Sequence, residues 1–192
     1  MLSAAAAGTS SLTHLTIHSG SIAPQPLQYI LSIPRALTHF VYQPTLEDIA
    51  FDLAPFGVAL LPLQHSPTSL ELDFRMINPW WLSQLPITTI GSLRDWPALR
   101  TVRCTLFLLL GRDSQVLAGV LPAGIRELEI LDDVEIPVGA AVKAVVGQLG
   151  AMEMVRVYAG RKESKRLRRR LRKACWAVAA AFDDGAISEG SG

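Results

Sequence analysis

Four sets of side chains in this sequence could do chemistry. His14, His18 and His39 stand in the phrases THLTIH and LTHFVY. Three imidazoles gathered in one place could help hold a zinc ion, which takes His, Cys or carboxylate ligands. Glu127 and Glu129 in RELEI are carboxylates two residues apart, the residue type of general acid–base catalysis. Cys104 and Cys175 are thiols, which attack only where the thiolate is stabilised. Residues 161–173, RKESKRLRRRLRK, carry nine Lys or Arg and one Glu, a cluster suited to phosphates or to an acidic protein surface.

What these groups can do depends on the elements that hold them, and the chain repeats one short phrase. Apolar residues fall in the order L-x-x-L-x-I at Leu12, Leu15 and Ile17. The order returns at Leu37, Phe40 and Tyr42, at Leu99, Val102 and Cys104, at Ile125, Leu128 and Ile130, and at Met152, Val155 and Val157. A further copy, SLELDF, has Leu70, Leu72 and Phe74 alternating, with its first leucine displaced by one position. Counted on the last apolar residue, the six units are 25, 32, 30, 26 and 27 residues apart.

The second and third apolar positions are two apart, so they point to one face of a strand. A strand this short cannot bury that face alone, but stacked units share a continuous core. About 20 residues separate the strands, room for the return that a parallel pairing requires. Residues 138–149 place Val138, Val142, Val145, Val146 and Leu149 at helical spacing, with Pro137 suited to the first turn. Leu167, Leu171, Ala174, Cys175 and Val178 form a second apolar stripe. Shorter helices are expected at residues 25–33 and 45–53, and one or two turns at 114–121. The stretch NPWWLSQLPITTIGSLRDWPA reads as irregular. The expectation is an α/β solenoid of about six units over residues 10–182. It has a curved parallel sheet on the concave side, helices or turns on the convex side, an N-terminal tail at 1–9 and a disordered tail at 183–192.

Alternation then assigns the side chains of the open sheet face. In the first two units these are His14, Thr16 and His18, then His39, Val41 and Gln43. The middle units give Glu71, Asp73 and Arg75, then Thr101, Arg103 and Thr105. The last two give Glu127, Glu129 and Leu131, then Met154, Arg156 and Tyr158. The protein-binding residues expected among them are His14, Thr16, His39, Gln43, Glu71, Asp73, Arg75, Thr101, Arg103, Glu127, Glu129, Arg156 and Tyr158. Such a mixed polar row suits a protein partner.

On this scaffold the chemical readings thin out. Equivalent positions make His14 and His39 neighbours about 4.8 Å apart, yet no Cys, Asp or Glu stands at the equivalent outward positions of those units, so no metal site is expected. Glu127 and Glu129 become neighbours on a binding face. Cys104 and Cys175 fall at inward positions, as buried thiols do. Leu167 and Leu171 interrupt the basic cluster at helical spacing, which suits a helix whose basic side, Arg166, Arg168, Arg169, Arg170, Arg172 and Lys173, faces water. Trp176 adds no stacking platform, so nucleic-acid binding is not favoured. Phosphate-loop, dinucleotide, nucleophile-elbow and zinc-protease phrases are missing, so neither an enzyme nor a cofactor is expected.

Composition sets the outer bounds. The 192 residues are 49% hydrophobic and 18% charged, enough for a sizeable core. The net charge of +1 hides a body of balance −7 outside the basic segment. Two cysteines 71 residues apart make no disulfide framework, and no apolar run approaches the ~20 residues of a membrane span. A cytoplasmic or nuclear protein is the expectation.

The repeat length and the phrase L-x-x-L-x-I resemble leucine-rich repeat proteins, although Gly20, Thr45, Ile77, Phe107, Asp133 and Gly160 stand where Asn or Cys commonly closes the turn. WPALRTVRCTLFLLLGRD, VLAGVLPAGIRELEILDD and a last repeat running into an Arg-rich helix with RKAC are similar to the repeat domains of fungal F-box proteins. The resemblance covers roughly residues 10–182. It implies a substrate-recognition domain of a ubiquitin-ligase adaptor, with the F-box itself outside a chain that enters its first repeat by Leu12. The alternative is a stand-alone regulatory or nuclear binding protein that meets an acidic partner through its basic helix.

Overall fold

A strand lies at each recurrence of the apolar phrase. The structure is a computed structural model that describes residues 7–18, 22–44, 53–74, 88–111, 119–131, 145, 152–158, 165, 169–170, 172 and 181–183. The strands are β1 (His14–His18), β2 (His39–Gln43), β3 (Ser69–Leu72), β4 (Thr101–Cys104), β5 (Glu127–Ile130), β6 (Met154–Val157) and β7 (Ala181–Asp183). They form one sheet in sequence order, and every neighbouring pair is parallel.

The register aligns the apolar positions in two rows. One runs Leu15, Phe40, Leu70, Val102, Leu128, Val155 and the other Ile17, Tyr42, Leu72, Cys104, Ile130, Val157. From β2 to β6 all of these are at most 2% exposed. Each such burial is worth up to about 1.5–3 kcal/mol, and a one-residue slip would turn a whole row to water. The α/β class and the sheet pattern therefore agree with the sequence reading.

A backbone joint repeats where each strand begins. The Thr13 carbonyl accepts the N–H groups of both Thr38 and His39, and Thr38 does the same for Thr68 and Ser69. Thr68 accepts from Arg100 and Thr101, Arg100 from Arg126 and Glu127, and Arg126 from Glu153 and Met154. Five carbonyls thus couple six successive units through the backbone, and the Thr38 and Thr68 hydroxyls add a bond at the first two joints.

Several expectations shift. In the third unit Leu72, not Phe74, lies between Tyr42 and Cys104. The displaced first leucine has a substitute: buried Pro67 sits three residues before Leu70, where other units have Leu, Ile or Met. The expected helix at 25–33 is α1 (Pro24–Ser32), with prolines in its first turn and Leu27 and Leu31 inward. Of the helix expected at 45–53, residues 45–52 lie outside the described residues. An α-helix, α2 (Leu53–Leu60), begins where that expectation ended and runs into a 3-10 turn at Leu61–Leu63. A further helical turn, Phe107–Leu110, was not foreseen. Val145 of the 138–149 stripe is helical and fully buried. β7 extends the sheet through Asp183, the residue at which the tail was expected to start.

Of the stretch expected to be irregular, residues 78–87 lie outside the described residues; in the remainder the Ile90 N–H donates to the Leu108 carbonyl and the Leu93 N–H to that of Val120. Phe56 and Phe74 pack on Tyr42, with ring centroids 5.2 and 6.1 Å from it, and fill the core beside α2.

Candidate functional site

The faces of the strands that turn away from the core carry three rows of side chains. The first is His14, His39, Ser69, Thr101, Glu127 and Met154; the second is Thr16, Val41, Glu71, Arg103, Glu129 and Arg156. His18 and Gln43 begin a third row, which Tyr158 resumes at the far side. Ser69 belongs to the first row, a place the sequence reading missed because it started the third unit two residues late.

One polar side chain from each of six strands joins a continuous chain of contacts. His18 Nδ1 lies 2.6 Å from Gln43 Oε1, and since an amide oxygen only accepts, the imidazole donates. Gln43 Nε2 donates to Glu71 Oε1 at 3.2 Å. Arg103 Nη1 donates to Glu71 Oε2 at 3.2 Å, and Arg103 Nε makes an ionic contact of 3.4 Å with Glu129 Oε2 that lacks hydrogen-bond geometry. Arg156 Nη1 closes the chain on Glu129 Oε1 at 2.7 Å. The second row alternates in sign from β3 to β6, and Asp183 is the register partner of Arg156 on β7.

The carboxylates lie deeper than the arginines: side-chain exposure is 16% at Glu71 and 11% at Glu129, against 31% and 30% at Arg103 and Arg156. The arginine stems cover the acids while their heads stay wet. Arg103 also stands 5.0 Å from the Tyr158 ring centre, a cation–π distance. Burial, together with the charge and hydrogen bond of Glu129, holds the Tyr158 hydroxyl above its ordinary pKa of 10.0 against the opposing pull of Arg103.

The first row is more open. His14 and His39 stack with centroids 4.2 Å apart and planes 7° apart. Each has Nδ1 2.9 Å from the hydroxyl of the preceding threonine, Thr13 or Thr38. Thr16, His14 and His39 are exposed, and Thr101 and Glu127 are half-buried. No ion pair or hydrogen bond engages the Glu127 carboxylate among the described residues.

Three residues expected on the outward face are buried instead. Each directly follows the last residue of one of the four-residue strands β3, β4 and β5. Asp73, expected on the binding face, is buried at 7% exposure, with its N–H donated to the Tyr42 carbonyl. Thr105 and Leu131 are buried likewise, and the Leu131 N–H bonds to the Cys104 carbonyl. Arg75 lies outside the described residues, as do Arg166, Arg168, Lys173 and Cys175. Arg169, Arg170 and Arg172, with Lys165, are helical and exposed. Cys104 is buried and forms no disulfide.

Among the described residues no three His, Cys, Asp or Glu side chains are grouped to hold a metal. A cleft of about 640 Å³ lies between α2 and residues 88–93, lined by Gly57, Val58, Leu61, Trp96 and others, none of them titratable. It offers shape without an acid, base or nucleophile. No helix among the described residues is long and apolar enough to cross a membrane. Comparison with protein families, with curated proteins and with solved structures finds no match.

Proposed function

We propose that the chain is a leucine-rich-repeat solenoid that binds a protein partner on its open sheet face, as the substrate-recognition part of an F-box-type ubiquitin-ligase adaptor. The observation that carries the reading is the contact chain from His18 to Arg156. It fixes one long polar side chain on each of six strands before any ligand arrives, so less side-chain entropy is lost on binding. The charges in that chain cancel in pairs, which leaves the open first row, with Glu127 and the stacked histidines, to discriminate between partners.

A second reading rests on the basic helix, where Lys165, Arg169, Arg170 and Arg172 are exposed. There the protein is a regulatory or nuclear factor that meets an acidic partner. Capture of cross-linked partners by the full chain, followed by mass spectrometry, separates the two. The first reading expects a set of proteins that is lost with Thr101→Arg/Glu127→Lys and kept with Arg169→Glu/Arg170→Glu. Cullin–RING subunits within the set captured by the intact gene product would support the adaptor role. A set lost only with the helix variant would overturn the face reading in favour of the second.

A further inference from the structure

β1 is an outer strand, bonded among the described residues to β2 on one side only. Its Thr13 carbonyl turns toward β2. Backbone groups alternate along an extended strand, so Leu15 and Ile17 also bond toward β2, and the N–H and C=O groups of His14, Thr16 and His18 point away from it. The core side is incomplete as well. Leu12 is 42% exposed, whereas its equivalents Leu37, Leu99 and Ile125 are exposed by 1% or less. Leu15 and Ile17 are only partly buried against the core. The strand has no charged residue and no proline, the devices that keep a sheet edge from pairing.

We propose that this edge pairs with β1 of a second copy of the chain, antiparallel, about a two-fold axis through Thr16. The strand reads His-Leu-Thr-Ile-His, nearly the same order of residue types in either direction. Centred on Thr16, the pairing sets each His14 opposite the partner's His18 and each Leu15 opposite the partner's Ile17. The residues brought opposite one another as hydrogen-bonded pairs are His14, Thr16 and His18, the same three whose backbone groups face outward. Leu12, Leu15 and Ile17 of the two copies then cover one another on the core side. With no formal charge on either strand, no like-charge repulsion opposes the approach. The contact is isologous and closes at two copies. Five residues span only about 17 Å, short of the ~800 Å² per partner of a standard interface, so the dimer is weak and depends on concentration.

Sedimentation velocity on the full chain, from low to several hundred micromolar, is expected to show a mean mass rising toward twice the monomer and no further. Thr16→Pro removes an outward N–H and none that bonds to β2, so it abolishes the rise while the circular dichroism spectrum is kept. Thr16→Cys in a Cys175→Ser background gives an intermolecular disulfide on oxidation, because hydrogen-bonded antiparallel partners lie about 5.5 Å apart at Cα. Val41→Cys, its register neighbour on β2, gives none. A constant monomer mass without a disulfide from Thr16→Cys overturns the proposal. Growth past the dimer overturns it too, in favour of a head-to-tail chain of β1 on β7. If Thr16→Pro fails to fold, the disulfide decides alone.

Discussion

Arg156 Nη1 reaches Glu129 Oε1 at 2.7 Å across the β5–β6 pair, and the same carboxylate meets Arg103 from β4 on its other oxygen. Glu129 is thus the node of the open face. Replacing it with Gln is expected to lower stability by about 1–2 kcal/mol, since two guanidinium groups lose a charged acceptor. A double-mutant cycle with Arg156→Ala should give a coupling of about 0.5–1 kcal/mol by urea unfolding, at the upper end for an ion pair because the carboxylate is so little exposed. A coupling of zero would mean that the ordered chain of contacts adds no rigidity to the face.

Equivalent apolar positions should not carry equal weight. Leu128 is fully buried in the middle of the sheet, and Leu128→Ala is expected to cost about 2–5 kcal/mol. Leu12, 42% exposed, should lose about 0.5 kcal/mol or less in the same substitution at dilute protein. Urea midpoints at unchanged slope test the contrast, and equal losses would contradict the open edge at β1.

Two tyrosines make stability depend on alkaline pH. Burial raises the pKa of Tyr42, opposed by its hydrogen bond with the Ile22 N–H, and burial with Glu129 raises that of Tyr158. A pKa raised on folding stabilises fully below the unfolded value of 10.0 and loses that contribution as pH rises through the folded one. Unfolding free energy should therefore fall from pH ~10 upward. Tyr42→Phe should flatten part of the decline, with absorbance at alkaline pH following the remaining phenols. An identical slope in the variant would show that Tyr42 ionises alike in both states.

Gly57 is required by a close approach. A Cβ there would overlap the Ile90 carbonyl oxygen and come within 2.6 Å of its carbon, both backbone atoms that cannot swing aside. Gly57→Ala should cost about 1–3 kcal/mol through overpacking, despite the better helix propensity of alanine. Gly119→Ala meets nothing within 4 Å and serves as the control in thermal melts.

The sheet was legible because its signal is periodic and redundant. Any one of Leu128, Val155 or Val102 could be misread alone, but their common spacing could not. Pro67 hid the third unit's first position, since a proline does not match a search for leucine, and this moved the assignment from Ser69 to Glu71. β7 offered only Ala181, Phe182 and Asp183, too short for the phrase. The outward residues were readable from alternation as far as alternation lasts; Asp73, Thr105 and Leu131 fell past the ends of four-residue strands. The pairing of Glu71, Arg103, Glu129 and Arg156 could not be read from any single strand. It exists only once the register brings them side by side.

The joint at the start of a strand needs only a carbonyl and two N–H groups: the Thr38 and Thr68 hydroxyls add a bond to it, yet Arg100 and Arg126 stand in the same place without one. Identity at that place is free to drift under mutation. An in-frame gene duplication of one unit would carry both halves of the joint with it, and a deletion would rejoin matching halves. The length of the array is therefore a heritable quantity that selection can adjust one unit at a time, without inventing a new core at each step.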